Sequence, residues 1–354
     1  MPNQLSSVSA ESQIEFLQKI QNLFEDSSFS ATYKYALLIT LTNLAIELGN
    51  DHGEELTIPS NKIATRFSEL YWTQIKEYSS GKDIGILHQN NSTQAKIISI
   101  LLEIQTSTGI DYFSDVLADP IWKKKTNSII SNIWKNPVKY LQKPDNQFIY
   151  KYSEKDKTKL FLTKEAHICL RKFSEYIIQY AKNDWMTYLK TNTKNQKILN
   201  TDSDLESFLF GASRENLIQL RPVLMEYQQG KCFYCAKNFT RNSKADVDHF
   251  IPWKRYSRNI AENLVLACPS CNRSKLDMLA GKAHLENWLS NAANNLQRNN
   301  DIHGLGYISD LECNLRISHW AYHNASITNS NAWITSKQRE LINQDYLIFF
   351  NKRN

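Results

Sequence analysis

Residues 245–275 read ADVDHFIPWKRYSRNIAENLVLACPSCNRSK, and gather an Asp–His pair, three aromatic rings, a run of basic side chains and a Cys-x-x-Cys. A second pair stands upstream in KCFYCAKN, so four of the six cysteines form two matched pairs, Cys232/Cys235 and Cys268/Cys271, while Cys169 and Cys313 stand alone. Thiolates separated by two residues reach one tetrahedral ion from a tight knuckle, and two knuckles supply a closed four-thiolate site. With every position filled, such an ion offers no opening to water or substrate. Its expected role is structural, a Zn²⁺ that staples the two ends of an insert. A single Cys-x-x-Cys at a helix start could be a redox pair; two matched pairs favour the metal, and point to a reducing compartment.

Between the knuckles lies VDHFIPW, a short β-prone run ending in Asp248 and His249 and followed by a proline turn, which sets a hard carboxylate beside an imidazole. Asn263 precedes the apolar LVLA, and Asn272 directly follows the last cysteine, where a helix would begin. The whole segment, from about Leu220 to Ser290, resembles the HNH endonuclease superfamily with the ββα-metal fold in its four-cysteine form, as known from bacterial restriction- and defence-like nucleases. The likeness is carried by CFYC, DHFIPW and NLVLACPSCNRSK, with His249, Asn263 and Asn272 in the three signature positions.

The resemblance implies roles. Asp248 and Asn272 would hold a Mg²⁺ or Mn²⁺ ion through oxygen, His249 would take the proton from an attacking water, and Asn263 would brace the loop that presents His249. Many family members carry His where this chain has Asn272. An amide oxygen is a harder ligand than imidazole, which favours Mg²⁺ or Mn²⁺ over Ni²⁺ or Zn²⁺. Taken singly each residue has a plainer reading: Asp–His pairs are often structural hydrogen bonds, Asn263 could cap a turn, Asp246 could be a surface carboxylate, and Phe250 and Trp253 could fill a small core. Only the joint arrangement lifts them above it. Lys254, Arg255, Arg258, Arg273 and Lys275 are the expected phosphate contacts, with Lys275 three residues from Asn272 and hence on its side of a helix. Arg214 and Arg221 lie on the helix leading into the first knuckle.

The remaining chain bounds this reading. Of 354 residues, 42% are hydrophobic, enough for more than one domain with a real core and without disulfides. A net charge of +6 suits a polyanionic partner but also an ordinary enzyme, and decides nothing alone. The start MPNQLSSVSAESQ lacks the basic and apolar parts of a signal peptide. The longest apolar stretch, YALLITLTNLAIEL, is interrupted by Thr40, Thr42 and Asn43 and falls short of the roughly 20 residues of a bilayer span. A cytoplasmic protein without a membrane partner is expected. No fixed period repeats, which excludes solenoids.

Helical spacing runs from Glu11 to about Gln105, with a Ser30 cap ahead of the apolar helix and a further candidate around Ile129 to Trp134. The pattern alternates around QFIYKYSEKDKTKLFLT, which predicts one hairpin, then returns to a long helix from Ala166 to about Leu189. KTNTKNQKILNTDSD reads as a linker, and Trp320, Tyr322, Trp333 and the terminal LINQDYLIFF suggest two helices packed back on the N-terminal part. The expected fold is mainly α (α+β): a helical recognition or regulatory domain with a small hairpin at 1–200, the HNH domain with its four-cysteine zinc at 201–295, and a C-terminal helical segment at 296–354.

The function expected is a metal-dependent endonuclease that hydrolyses DNA phosphodiester bonds, in restriction or anti-phage defence, with RNA as the alternative substrate. One ββα site cuts one strand, so a homodimer would serve a double-strand break. Two other readings stand beside it: a zinc-stabilised nucleic-acid-binding protein without turnover, and a nuclease effector switched on by a ligand or a defence-system partner.

Overall fold

Apolar spacing accounts for the first helices. Helix α1 (Ala10–Glu25) buries Phe16, Ile20 and Phe24 along one stripe, whereas α2 (Tyr33–Leu48) is buried on nearly every side, as an all-round apolar helix must be. Thr42, one of the interruptions in that run, donates its hydroxyl to the Leu38 carbonyl and so costs the core no unpaired group. The computed structural model describes residues 8–25, 31–200, 204–211, 217–240 and 244–351. The chain divides into two units, 1–210 and 211–354. The Ser30 cap and Arg214 lie outside the described residues.

In the first unit strand β1 (Leu56–Pro59) leads into α3 (Ser60–Trp72), α4 (Lys96–Thr108), α5 (Phe113–Ala118) and α6 (Pro120–Ile133), followed by β2 (Tyr150–Lys151), β3 (Lys159–Leu162), α7 (Lys164–Lys172), α8 (Ser174–Thr191) and α9 (Leu205–Phe210). The predicted hairpin is the antiparallel pair β2–β3, and β1 adds to its other edge, in the order β1-β3-β2 with Leu56 opposite Leu162 and Ile58 opposite Leu160. That third strand, LTIP, falls inside the stretch from Glu11 to about Gln105 whose spacing reads as helical. Pro59, with ψ 140°, keeps the chain extended there and α3 starts one residue later. The face of α3 carrying Ile63, Phe67 and Tyr71 is wholly buried, so this helix is core.

Two expectations about this unit need correction. The long helix from Ala166 to Leu189 is two, broken at Phe173, whose ψ of 21° leaves the helical region. The break lets α7 lie against α1 and α2 while α8 runs along α2. The polar stretch after α8 is a built part of the unit rather than a linker as far as Asn200. Asn192 and Asn195 donate to the His88 carbonyl, the Ile198 carbonyl receives the Gly81 amide, and Ile198 and Leu199 are buried. Side-chain amides that bond backbone look like linker composition until their partners are seen.

The second unit contains α10 (Arg221–Tyr227), the hairpin β4 (Asp246–His249) and β5 (Leu264–Ala267), α11 (Pro269–Lys275), α12 (Lys282–Asn287), α13 (Leu296–His303), α14 (Leu311–Ile327), a second hairpin β6 (Asn331–Thr335) and β7 (Gln338–Leu341), and α15 (Ile348–Asn351). Leu220, Leu224, Leu264 and Leu266 share a core with Ile302 and Tyr307. The C-terminal segment, expected to be two helices on the N-terminal part, belongs to this unit and holds one long helix, α14, and a hairpin. Ala261 donates to the Ile308 carbonyl, and the Trp333 backbone bonds both Leu279 and Gly281. Trp333 sits in β6, in a β-branched and aromatic context whose alternation covers too few residues to be told from a helix turn. The architecture as a whole is mainly helical with small antiparallel sheets, an α+β fold.

Candidate active site

The first knuckle is a tight hairpin. The Cys232 amide donates to the Lys237 carbonyl, the Ala236 amide returns to the Cys232 carbonyl, and Ala236 takes a left-handed φ of 56° to close the turn. The second knuckle forms where β5 gives way to α11: Cys268 is the N-cap, extended at ψ 151°, and Pro269 occupies the first turn, where its missing amide costs nothing. Phe233 donates to the Leu266 carbonyl and Cys268 donates its amide to the Cys232 sulfur, so the knuckles are stitched together by backbone. The four sulfurs lie within 4.8 Å of one another. Cys235 and Cys268 are 3.8 Å apart, the edge of a tetrahedron with metal–sulfur bonds of about 2.3 Å. The donor set and its spacing fit Zn²⁺.

β4 and β5 pair antiparallel with His249 opposite Leu264 and Asp248 opposite Val265, and α11 crosses them to complete a ββα unit. Asp246 and Asp248 share one face of β4, two residues apart. Asp248 is buried, and its Oδ2 receives the Tyr234 hydroxyl at 2.6 Å and the Lys275 ammonium at 2.9 Å. Both partners bind the same oxygen, which leaves Oδ1 for an ion. Asn272 donates its amide to Asp246 Oδ2 at 3.2 Å, so its carbonyl oxygen is likewise uncommitted by that bond. Hard oxygen donors on adjacent elements fit Mg²⁺ or Mn²⁺ better than a soft metal.

His249 ends β4, buried, with its ring 5.1 Å from that of Trp253. Its Nε2–H donates to Asn259 Oδ1 at 2.8 Å. Burial lowers its pKa below the ordinary histidine value, against the opposing pull of the Asn259 hydrogen bond and the Asp248 charge. Asn263 bonds Ile251 twice, accepting from its amide at 2.7 Å and donating to its carbonyl at 3.0 Å, while its own carbonyl accepts from Phe250. The turn after His249 is thereby held at both ends. Phe250 stacks on Trp288 beneath, centroids 4.5 Å apart.

The basic residues disperse. Lys254 and Arg273 are exposed and Arg255 half-buried; Lys254 lies 3.5 Å from Asp277 and Arg273 donates to the Pro269 carbonyl. Arg258 is buried beside the Cys313 sulfur. Lys275 is fully buried: it faces inward from α11, bonds Asp248 and the His249 carbonyl, and covers the Tyr234 ring at 5.8 Å. Its positive charge is spent inside the unit, beneath the site rather than at its mouth.

Two residues of the site escaped the sequence reading. Tyr234 lies inside the first Cys-x-x-Cys, where the cysteines draw all attention, and its only signal is a polar-tipped aromatic in a turn. Asn259 sits in an unpatterned loop and carried no signal. Trp333, 5.2 Å from Tyr234, donates its indole to Ser274 of α11 and backs the site from the C-terminal hairpin.

Residues 232–277 match the HNH endonuclease family, and residues 13–209 match the family described as Domain of unknown function (DUF8808). No curated protein matches the chain, and no solved structure does. The second match spans more than half of the sequence and the first coincides with the ββα unit and its four-cysteine cluster, so the chain belongs to the DUF8808 family and carries a zinc-type HNH endonuclease domain.

Proposed function

We propose that this nuclease hydrolyses phosphodiester bonds of DNA with a divalent metal at Asp248 and Asn272. The observation that supports it is His249: a buried imidazole at the end of β4, biased to its neutral form, with Nε2–H tied to Asn259 and Nδ1 left to accept a proton. A water losing its proton to Nδ1 attacks phosphorus as the bond to the 3′ oxygen breaks, and the departing oxygen takes a proton from solvent, leaving a 5′-phosphate and a 3′-hydroxyl. A bound Mg²⁺ would supply stabilisation of the charge gathering on the phosphoryl and leaving oxygens. Asp248, braced by Tyr234 and Lys275, and Asn272 would hold it; Asn263 keeps the His249 turn in shape. Lys254 and Arg273, both exposed, would meet neighbouring phosphates, and Arg255, whose Nε donates to the Asp277 carbonyl at 3.4 Å, would join Lys254.

Plasmid incubated with purified protein and Mg²⁺, beside His249→Ala, tests this. Cleavage by the parent and its loss in the variant, with DNA binding kept, is the expected result. A titration in which Ni²⁺ supports cleavage far better than Mg²⁺ would overturn the oxygen-ligand assignment. A second reading, a nucleic-acid-binding protein without turnover, is favoured by one observation: Asp248 already spends Oδ2 on two internal partners. Binding without cleavage in the parent would select it. Cleavage that appears only with cell lysate or nucleotide would make the first unit a regulatory domain. Defence against phage or restriction is the biology proposed, checked by plaque counts with and without His249→Ala.

A further inference from the structure

Charge in the first unit is sorted along the chain. Residues 120–164 hold eleven lysines against three acidic side chains, a local net charge of +8; residues 1–119 carry −8, and residues 165–210 are neutral. The fold gathers part of the basic segment into one strip. The helix continues beyond α6 through a π-helical turn, Trp134–Val138, bringing Lys135 and Lys139 one turn apart with Lys143 just past its end. The β2–β3 connection, with Lys155, Lys157 and Lys159, lies beside it: Lys139 is 3.3 Å from Glu154, the Tyr150 hydroxyl donates to the Val138 carbonyl, and Gln142 bonds the backbone of Ile149 and Tyr150.

The strip is built and exposed. Ser60 donates to the Lys157 carbonyl, Thr158 donates its amide and hydroxyl to Asp156, and Ser153 accepts from Lys155 and Asp156, so the turn is fixed before anything binds. Lys135, Lys143, Lys155, Lys157 and Lys159 are exposed and have no acidic side chain within ion-pair reach among the described residues; Lys139 alone of the six is paired. Tyr140 is 58% exposed in their midst, with the Lys139 ammonium 6.0 Å from its ring. Lysines set against one fixed surface at this density repel one another unless a polyanion lies across them.

We propose that this strip is a second nucleic-acid surface, which grips the phosphate backbone of duplex DNA and supplies affinity that the small ββα unit lacks. The choice of DNA among polyanions rests on the nuclease reading; the strip itself does not. Contacts of this kind are independent of sequence and release counterions, so binding weakens by about 0.9 in log K per unit of log salt for each phosphate neutralised.

The test uses the full chain carrying His249→Ala and a fluorescein-labelled duplex of mixed sequence, titrated across salt. Lys135→Ala, Lys143→Ala, Lys155→Ala and Lys157→Ala together should weaken binding at least about tenfold and lower the salt slope by about 3. Replacing the exposed Lys62, Lys76, Lys82 and Lys96 of the same unit by alanine should leave the slope unchanged. Thermal melting verifies folding, and the same four positions as glutamine serve if the alanine set melts early. Equal losses in both sets, or an unchanged slope in the first, overturn the proposal. So does loss of binding to phosphatidylserine vesicles with DNA binding intact. An unchanged slope while the parent cleaves plasmid overturns the strip and leaves the nuclease; a reduced slope without cleavage in the parent keeps the strip and removes the nuclease.

Discussion

Lys275 shows how burial reassigns a charged residue. Its position three residues after Asn272 marks it as a phosphate contact, yet its ammonium is buried against Asp248, the His249 carbonyl and the Tyr234 ring. Removing one partner of a buried pair strands the other. Lys275→Met should therefore destabilise the second unit by about 3 kcal/mol, read by urea unfolding. Tyr234→Phe removes one hydrogen bond to the same carboxylate and should cost about 1.5 kcal/mol. If Lys275→Met left stability unchanged and only weakened DNA binding, the inward orientation would be wrong. No spacing rule could have separated these roles, because a helix face tells which side a residue is on and not whether a neighbour covers it.

At the scale of elements, the knuckles and the ββα order were legible because ligand spacing is a covalent fact and a proline after the cysteine starts a helix. The third strand β1, the break at Phe173 and the C-terminal hairpin were not, since each is settled by what packs against it. The knuckle also carries a local cost. Ala236 holds a left-handed φ of 56° that glycine adopts freely. Ala236→Gly should raise stability by about 0.5 kcal/mol, measured by denaturant midpoint, the relief of backbone strain exceeding the extra freedom of the unfolded chain.

The start of α7 gives a pH dependence. His167 Nδ1–H donates to the Glu54 carbonyl at 2.8 Å, and Nε2 is buried without a partner among the described residues, close enough to Gly49 that a methyl group there would collide with it. Burial lowers the His167 pKa below the ordinary value. A histidine held neutral in the folded chain contributes stability that is fully present above the unfolded value near 6.5 and is lost as pH falls through the lower folded value. The melting temperature of the parent should then fall more steeply between about pH 7 and about pH 5 than that of His167→Gln. Parallel curves would remove His167 from the account.

Over the whole molecule, metal dependence is confined. Among the described residues the four cysteines are the only cluster of three or more His, Cys, Asp or Glu side chains close enough to hold an ion, and they lie in the second unit, whose core around Leu264 and Leu266 is separate from that around α2. A strong chelator should lower the calorimetric transition of residues 211–354 and leave that of residues 1–210 in place; one shared shift would mean that the two melt together. At this scale the HNH match and its four-cysteine cluster were legible in the sequence, and the organisation of the rest was not. A catalytic motif is a few side chains at fixed intervals, whereas the sorting of charge within the first unit becomes a surface only once the chain has folded.

The hydroxyl of Tyr234 resting on Asp248 ties the fate of the two sites together. The interval between Cys232 and Cys235 has two jobs, since the residues it spans must close the thiolate turn and also deliver a phenol to a carboxylate on another strand. Substitution there is answerable to both. Lengthening the knuckle by one residue could preserve the staple and still misaim the phenol, and a protein engineer who swapped this loop for a generic zinc knuckle would keep the scaffold and forfeit the support beneath the proposed metal ligand.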